Sequence, residues 1–164
     1  MLSSTARQEI QNVVGRYPAG RQKSAVMPAL YIAQAECGWL SPDVLREVAE
    51  LLRLAPVHVA AVASFYTMFE KEPHGQHVVD VCTCVCCQLV GGYDILGHLE
   101  QRLGIKAGET TADGKITIRE QECLGACANA PALQVDSRFC ENLTTADVDA
   151  LLDELLKDGD STNG

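Results

Sequence analysis

Six of the eight cysteines fall in two short groups, and this clustering constrains the fold more than any other feature of the chain. The first group lies in VCTCVCC, residues 81 to 87, and the second in ECLGAC, residues 122 to 127. Thiolates are soft donors that suit iron-sulfur clusters, zinc or monovalent copper. The fold must therefore bring two separate loops to one centre, and we interpret that centre as an iron-sulfur site.

Charge and hydropathy limit the kind of partner that the chain can have. The formal net charge is -9, which disfavours nucleic acid and anionic membrane surfaces and favours a protein partner. We see no signal peptide and no run near the ~18 apolar residues of a membrane-spanning helix, so we expect a cytoplasmic protein without a membrane span. In a reducing compartment, clustered cysteines indicate metal or redox chemistry rather than disulfides.

The first part of the chain has the apolar spacing of helices. We predict helices from Ser3 or Ser4 to about Arg16, from about Ser24 to Cys37, from Pro42 to about Leu54, and from Pro56 to about Phe69. The last of these is apolar almost all round, so we expect it to be buried among the other three. Residues 1 to 72 are therefore predicted to form an N-terminal helical bundle, with the boundary in the polar turn at 70 to 76.

The pattern then changes to alternating segments that predict a β-α-β-β-α order. The predicted elements are strands at 77–82, 115–120 and 132–136, a helix at 91–104, and a last helix that begins with a Thr144/Asp147 capping box. A right-handed crossover makes the first two strands parallel, and we expect the next pair to be antiparallel. We assign residues 73 to 158 to this second domain, residues 159 to 164 to a disordered tail, and the whole chain to the α+β class.

Spacing alone leaves the chemistry of the cysteines open. The second pair is Cys123 and Cys127, but the first can be Cys82 with Cys87 or Cys84 with Cys87. A C-x4-C loop can hold a [2Fe-2S] cluster, a CxxC pair with a second pair is common for zinc, and CxxC alone is a thioredoxin-type redox motif. An electron carrier, a zinc-stapled adaptor and a stand-alone dithiol protein that works through Cys84 and Cys87 all remain open at this point.

Three motifs, in this order along the chain, resemble those of a known protein family. They are VCTxxxCxLxGGYDIL from Val81, ECLGACxxAP from Glu122 and ENLT from Glu141. Their combination resembles the thioredoxin-like [2Fe-2S] subunits of NADH dehydrogenase modules, and the likeness extends over residues 8 to 157. That family includes the E subunit of bacterial NADH-quinone oxidoreductase (complex I) and related subunits of NAD-linked hydrogenases and formate dehydrogenases.

The resemblance implies a site, a cofactor and a partner. It implies one [2Fe-2S] cluster ligated by Cys82, Cys87, Cys123 and Cys127, in a thioredoxin-like domain that follows a helical bundle. It also implies electron transfer, with no catalytic residue on this chain, next to a flavoprotein subunit that binds FMN and NADH within a larger iron-sulfur oxidoreductase complex at the inner face of the cell membrane. No GxGxxG follows a strand here, so nothing argues for nucleotide binding by the chain itself.

The remaining cysteines need their own interpretation. Cys84 and Cys86 lie inside the first ligand loop, where the family usually has other small residues, and we expect two plain thiols beside the cluster. Cys37 and Cys140 are expected to be small buried hydrophobic residues.

Overall fold

The computed structural model describes residues 1 to 158, so the predicted disordered tail lies outside the described residues. The chain divides into two compact units, the first Met1–Pro73 and the second from His74 onward.

The first unit consists of helices whose ends follow from local capping. They are α1 (Ser4–Val14), α2 (Val26–Cys37), α3 (Pro42–Leu52) and α4 (Pro56–Phe65). The hydroxyl oxygens of Ser3 and Ser41 accept hydrogen bonds from the backbone N–H of Ala6 and Val44, each at 3.2 Å, as expected of N-cap residues. Gly38, with a φ of 76°, ends α2 in a conformation that favours glycine.

The prediction for α4 was wrong in two respects. The helix ends at Phe65 rather than near Phe69, and it is not buried all round. Val59 and Ala63 are buried, whereas Val57 is exposed and Phe65 is 77% exposed. A helix at the edge of a small bundle needs only one apolar stripe for the core, so an apolar composition on every side does not specify complete burial.

The second unit is a sheet with helices. Its elements are β1 (His77–Cys82), α5 (Val85–Leu89), α6 (Gly92–Leu103), β2 (Ile116–Gln121), β3 (Leu133–Val135), β4 (Arg138–Cys140) and α7 (Thr145–Asp158). The predicted capping box is present, because the Thr144 N–H donates to Asp147 Oδ2 at 2.8 Å and the Asp147 N–H donates to Thr144 Oγ1 at 3.3 Å. Together with the first unit, these elements confirm the α+β class.

The strand pairing corrects the predicted topology. Within residues 1–158 the sheet order is β2-β1-β3-β4. β1 and β2 are parallel, as predicted, but β3 pairs antiparallel with β1 and not with β2. The fourth strand and the short helix α5 were missed, because RFC and VCCQL are too short to show a periodicity and, unlike β3, do not lie within a longer segment with a strand pattern. β1 is therefore a central strand with a partner on each side.

The parallel pair determines where the cysteine loops emerge. The register pairs Cys82 with Gln121, so β1 and β2 end at the same edge of the sheet. Asp80 and Arg119 support this register across the two strands, with an Arg119 Nε to Asp80 Oδ1 distance of 2.7 Å. Both cysteine groups follow these strand ends, so the fold brings them to one edge. The core beneath them contains Val79, Val81, Leu99, Ile116, Ile118, Leu133 and Leu152.

Candidate metal centre

The first cysteine loop is anchored directly to the sheet. Cys82 is the last residue of β1 and only 2% exposed, and its N–H donates to the Ala132 carbonyl at 3.1 Å. The next N–H, of Thr83, donates to the Gln121 carbonyl at 3.0 Å. Neighbouring chain segments on both sides of β1 therefore hold the start of this loop.

The rest of this loop forms α5, which sequence reasoning did not find. Cys84 is its N-cap residue, in an extended conformation, and Cys87 lies within it at 1% exposure. α5 packs tightly on the start of α6, because a Cβ atom added at Gly92 would lie 2.9 Å from the carbonyl carbon and oxygen of Cys87 and 3.0 Å from the Cys82 oxygen. The GG pair at 91–92 is the sequence feature that could have indicated this close approach.

The second cysteine loop is open to solvent. Cys123 and Cys127 are exposed, and Cys127 begins a short 3₁₀ turn, Cys127–Asn129. Gly125 has a φ of +77°, a backbone conformation that favours glycine. The Gly125 N–H donates to Cys123 Sγ at 3.3 Å. The Asn129 N–H donates to the Ala126 carbonyl at 3.0 Å.

The sulfur atoms form two overlapping groups. Those of Cys82, Cys84 and Cys87 lie within 4.8 Å of one another, and so do those of Cys84, Cys86 and Cys127. The structure thus brings Cys82 and Cys87 together and places Cys127 in the neighbouring group. Among the described residues Cys123 belongs to neither group. Cys84 belongs to both, which cysteine spacing alone could not predict.

The thiols of the two groups differ in acidity. The nearby backbone N–H groups of Cys87 and Cys86 favour the Cys84 thiolate and lower its pKa to about 7. Burial raises the pKa of Cys87 to about 12, and its hydrogen bond with Cys82 acts in the same direction. The pKa of Cys127 is raised, chiefly by its hydrogen bond with Cys86. The Gly125 N–H favours the Cys123 thiolate, but the loss of some hydration and the nearby Cys84 outweigh it, so the pKa of Cys123 is also raised.

The other cysteines and two of the histidines lie elsewhere. Cys37 and Cys140 are half-buried against the cores of their own units, and burial raises the pKa of each thiol. His77 Nδ1 lies 2.9 Å from Asp136 Oδ2, and His98 Nε2 lies 2.8 Å from Asp149 Oδ1. These imidazoles thus bond to carboxylates.

The donor set fits an iron-sulfur cluster. A [2Fe-2S] cluster is held by four cysteine thiolates, and the two loops at this sheet edge carry six cysteines, all of them free thiols. Within residues 1–158 the candidate metal-binding groups contain only cysteine, with no carboxylate or imidazole. Such a set of soft donors favours an iron-sulfur cluster, zinc or monovalent copper over hard cations.

Named relatives are similar to most of the chain. The E 2 subunit of NADH-quinone oxidoreductase from Rhizobium meliloti (strain 1021) is 48% identical over 149 residues, which cover 91% of this chain and 88% of the relative. The mitochondrial NADH dehydrogenase [ubiquinone] flavoprotein 2 of Dictyostelium discoideum is 40% identical over 148 residues, which cover 90% of this chain and 60% of the relative. The NADH-quinone oxidoreductase E subunit of Mycobacterium tuberculosis (strain ATCC 25618 / H37Rv) is 41% identical over 155 residues, which cover 93% of this chain and 61% of the relative.

A solved structure agrees with these relatives. An NAD⁺-reducing [NiFe]-hydrogenase in its air-oxidized state matches with a TM-score of 0.72 and 27% identity, over 81% of this chain and 23% of the hydrogenase chain. The family model described as thioredoxin-like [2Fe-2S] ferredoxin matches residues 10 to 156. These matches confirm the expected thioredoxin-like [2Fe-2S] domain, with the cluster as its cofactor, and so the chain belongs to the thioredoxin-like [2Fe-2S] ferredoxin family.

Proposed function

We propose that this chain is an electron-transfer subunit of an NADH-quinone oxidoreductase, the counterpart of the bacterial E subunit. In this role it carries one [2Fe-2S] cluster next to the flavoprotein subunit that binds FMN and NADH. The observation that carries the proposal is the pair of cysteine loops at one sheet edge, in a chain 48% identical to such an E subunit across nearly its whole length. The chain is thus part of an oxidoreductase and is not an enzyme by itself.

We propose Cys82, Cys87, Cys123 and Cys127 as the cluster ligands. Each loop supplies two of them, and the first loop has the C-x4-C spacing that suits a [2Fe-2S] cluster. Cys82 and Cys87 are buried, so their loop excludes water from one side of the site. Cys123 and Cys127 are exposed and leave the other side accessible to a redox partner.

The chemistry supplied by the cluster, when it is bound, is reversible one-electron transfer. Four thiolates concentrate negative charge, and the chain itself has a net charge of -9. Both features oppose the addition of an electron and favour a low potential. The hydrogen bond from the Gly125 N–H to Cys123 Sγ acts against this trend, since a donor to sulfur stabilises the more negative state.

An exposed apolar surface beside the cysteines supports a protein partner at this place. We call it the α5 patch; its residues are Val85, Leu89, Val90 and Tyr93, and Leu89 is 80% exposed. The segment from 85 to 93 contains no charged residue. Because α5 also holds Cys87, a subunit that covers this patch comes close to the proposed ligands. We propose the flavoprotein subunit as its occupant.

The structural similarity to a hydrogenase chain supports an alternative host complex for this subunit. The same domain forms part of an NAD⁺-reducing [NiFe]-hydrogenase chain, so the equivalent subunit of an NAD-linked hydrogenase is the alternative, with the same ligands and an analogous flavoprotein partner. A formate dehydrogenase version would share these features. We propose a location on the cytoplasmic side of the membrane for each. No helix within residues 1–158 is long and apolar enough to cross a bilayer.

The test is spectroscopic and uses the full chain purified without oxygen. Absorption and electron paramagnetic resonance spectra are recorded before and after dithionite, and iron, sulfide and zinc are assayed on the same sample. The proposal expects a red-brown protein with iron and sulfide in equal amounts that becomes paramagnetic on reduction. The Cys37→Ser variant, altered in the other unit, should be indistinguishable from the wild type. A colourless protein with zinc, or with a reducible disulfide only, would contradict the proposal.

A further inference from the structure

The two loops contain more thiols at the site than a [2Fe-2S] cluster can use. Four thiolates complete its coordination, whereas the two groups together hold five cysteines even without Cys123. Cys84 differs from the others, because its sulfur lies within 4.8 Å of Cys82 and Cys87 and, in the second group, within 4.8 Å of Cys86 and Cys127. The following inference rests on the proposed ligand set.

We infer that Cys84 is a reserve ligand of the cluster, which takes the place of Cys82 or Cys87 when either is lost. In the first case the loop ligates through Cys84 and Cys87, and in the second through Cys82 and Cys84. Both pairs stay on the segment between β1 and α6 that Gly92 holds in place. No rearrangement of the sheet is required, because the three sulfur atoms already lie close together.

Cys84 has the freedom that such an exchange requires. It is the N-cap of α5, outside the helix proper, and it is half-buried, whereas Cys82 and Cys87 are packed in the interior. Its side chain can therefore turn toward the place of the Cys82 or the Cys87 sulfur while the α5 backbone stays in place. A cysteine fixed inside the core could do this only by disturbing its neighbours.

The exchange is chemically balanced. One thiolate replaces another during cluster assembly, so one Fe–S bond to Cys84 forms in place of the bond to the missing residue. The Cys84 thiol releases its proton to water, as every ligating cysteine does. No electron is transferred and no oxidant is required. The total charge of the cluster and its ligands is unchanged.

Cys86 provides a matched comparison within the same loop. It is also half-buried and lies two residues from Cys84, but its sulfur groups with Cys84 and Cys127, not with Cys82 and Cys87. If any extra thiol in the loop could replace a lost ligand, Cys86 would do so as well as Cys84. The geometry assigns the reserve role to Cys84 alone for the first pair.

The experiment uses alanine variants of the full chain, each reconstituted without oxygen with ferrous iron and sulfide. Alanine is chosen because a serine oxygen can itself bind iron. The set is C84A, C86A, C87A, C86A/C87A and C84A/C87A, and iron, sulfide and the reduced paramagnetic spectrum are measured for each. Loss of even an outer-shell partner costs about 10- to 100-fold in metal affinity. We therefore expect iron in C84A/C87A to fall about tenfold or more, while the other variants retain a four-thiolate cluster.

The outcomes separate this inference from the proposed function. If the wild type holds the cluster but C87A loses it as fully as C84A/C87A does, Cys84 is not a reserve ligand and only the inference fails. Retention of the cluster by C84A/C87A, or its loss in C86A/C87A, would also overturn the inference. Failure of the wild type to assemble any cluster would overturn the proposed function itself. The same series with C82A, and circular dichroism of every variant, separates ligand loss from a folding defect in α5.

Discussion

Replacing Gly92 with alanine should disturb the cysteine loop directly. The new methyl group would lie 2.9 Å from the carbonyl carbon and oxygen of Cys87 and 3.0 Å from the Cys82 oxygen. Carbon atoms pack best at about 3.5–4.0 Å, so α6 or the loop must shift by roughly 0.6 Å. All three obstructing atoms belong to the backbone of the proposed ligand residues, and a side-chain rotation cannot relieve the overlap.

The expected cost follows from this overlap. Overpacking a well-packed site costs about 1–3 kcal/mol. For a domain of about 60–100 residues, such as the second unit, each kcal/mol of destabilisation lowers Tm by about 4–8 °C. Gly92→Ala should therefore lower Tm by about 4 °C or more. The cluster content should fall as well, because the displaced carbonyls belong to Cys82 and Cys87.

The same helix contains the control. Gly97 also lies in α6, but a Cβ atom there would have nothing within 4 Å. Gly97→Ala should therefore stabilise the unit by about 0.5–1 kcal/mol, since alanine loses less conformational entropy in a helix. Thermal unfolding followed by circular dichroism, with iron assayed on the same samples, measures both effects. Equal Tm values and equal iron contents for the two variants would refute the reasoning.

Two further predictions concern the partner surface and the start of α7. Leu89→Asp places a charge in the α5 patch and should weaken co-purification with the proposed flavoprotein partner without loss of iron. The control Phe139→Asp, on β4, should leave co-purification unchanged. If both variants retain the partner equally, the α5 patch is not the docking site. Hydrogen bonds from the side chain and the backbone N–H of Thr144 lower the pKa of Asp147 below its usual 3.8. The ionised Asp147 therefore stabilises the fold at neutral pH, and this stabilisation is lost as the pH falls through the lowered pKa. The Tm difference between wild type and Asp147→Asn should therefore shrink below pH 3.8, and a constant difference would contradict this account.

Most of the elements that could be predicted have enough residues to show a pattern, and the three-residue β3 was found because it lies within the apolar segment 132–136. β1 and β2 each have six residues, and α1, α3 and α6 carry caps that mark their ends. β4 has three residues and α5 has five, so neither shows a period. The pairing of β3 with β1 was also beyond sequence reasoning, because local patterns do not determine which edge of a strand is occupied.

The site was predictable in outline and not in detail. Cysteine spacing and the parallel pair together place both loops at one edge of the sheet. The shared position of Cys84 depends on α5, since the start of this short helix turns the Cys84 sulfur toward Cys82 and Cys87. A spacing rule treats Cys82, Cys84 and Cys87 as alternatives, whereas the fold brings their sulfur atoms together.

This arrangement reconciles two demands that an electron carrier makes on one site. Ligands must be held firmly, and the proposed ligands Cys82 and Cys87 are buried on a loop that β1, β2 and α6 hold in place. A partner must also come close, and the exposed Cys123 and Cys127 with the α5 patch leave an approach from solvent. Because the two pairs follow adjacent parallel strands, the inner half of the site can be rigid while the outer half stays accessible. Cys84 lies close both to the buried Cys82 and Cys87 and to the exposed Cys127. It can therefore approach the buried pair while the exposed side of the site stays open to a partner.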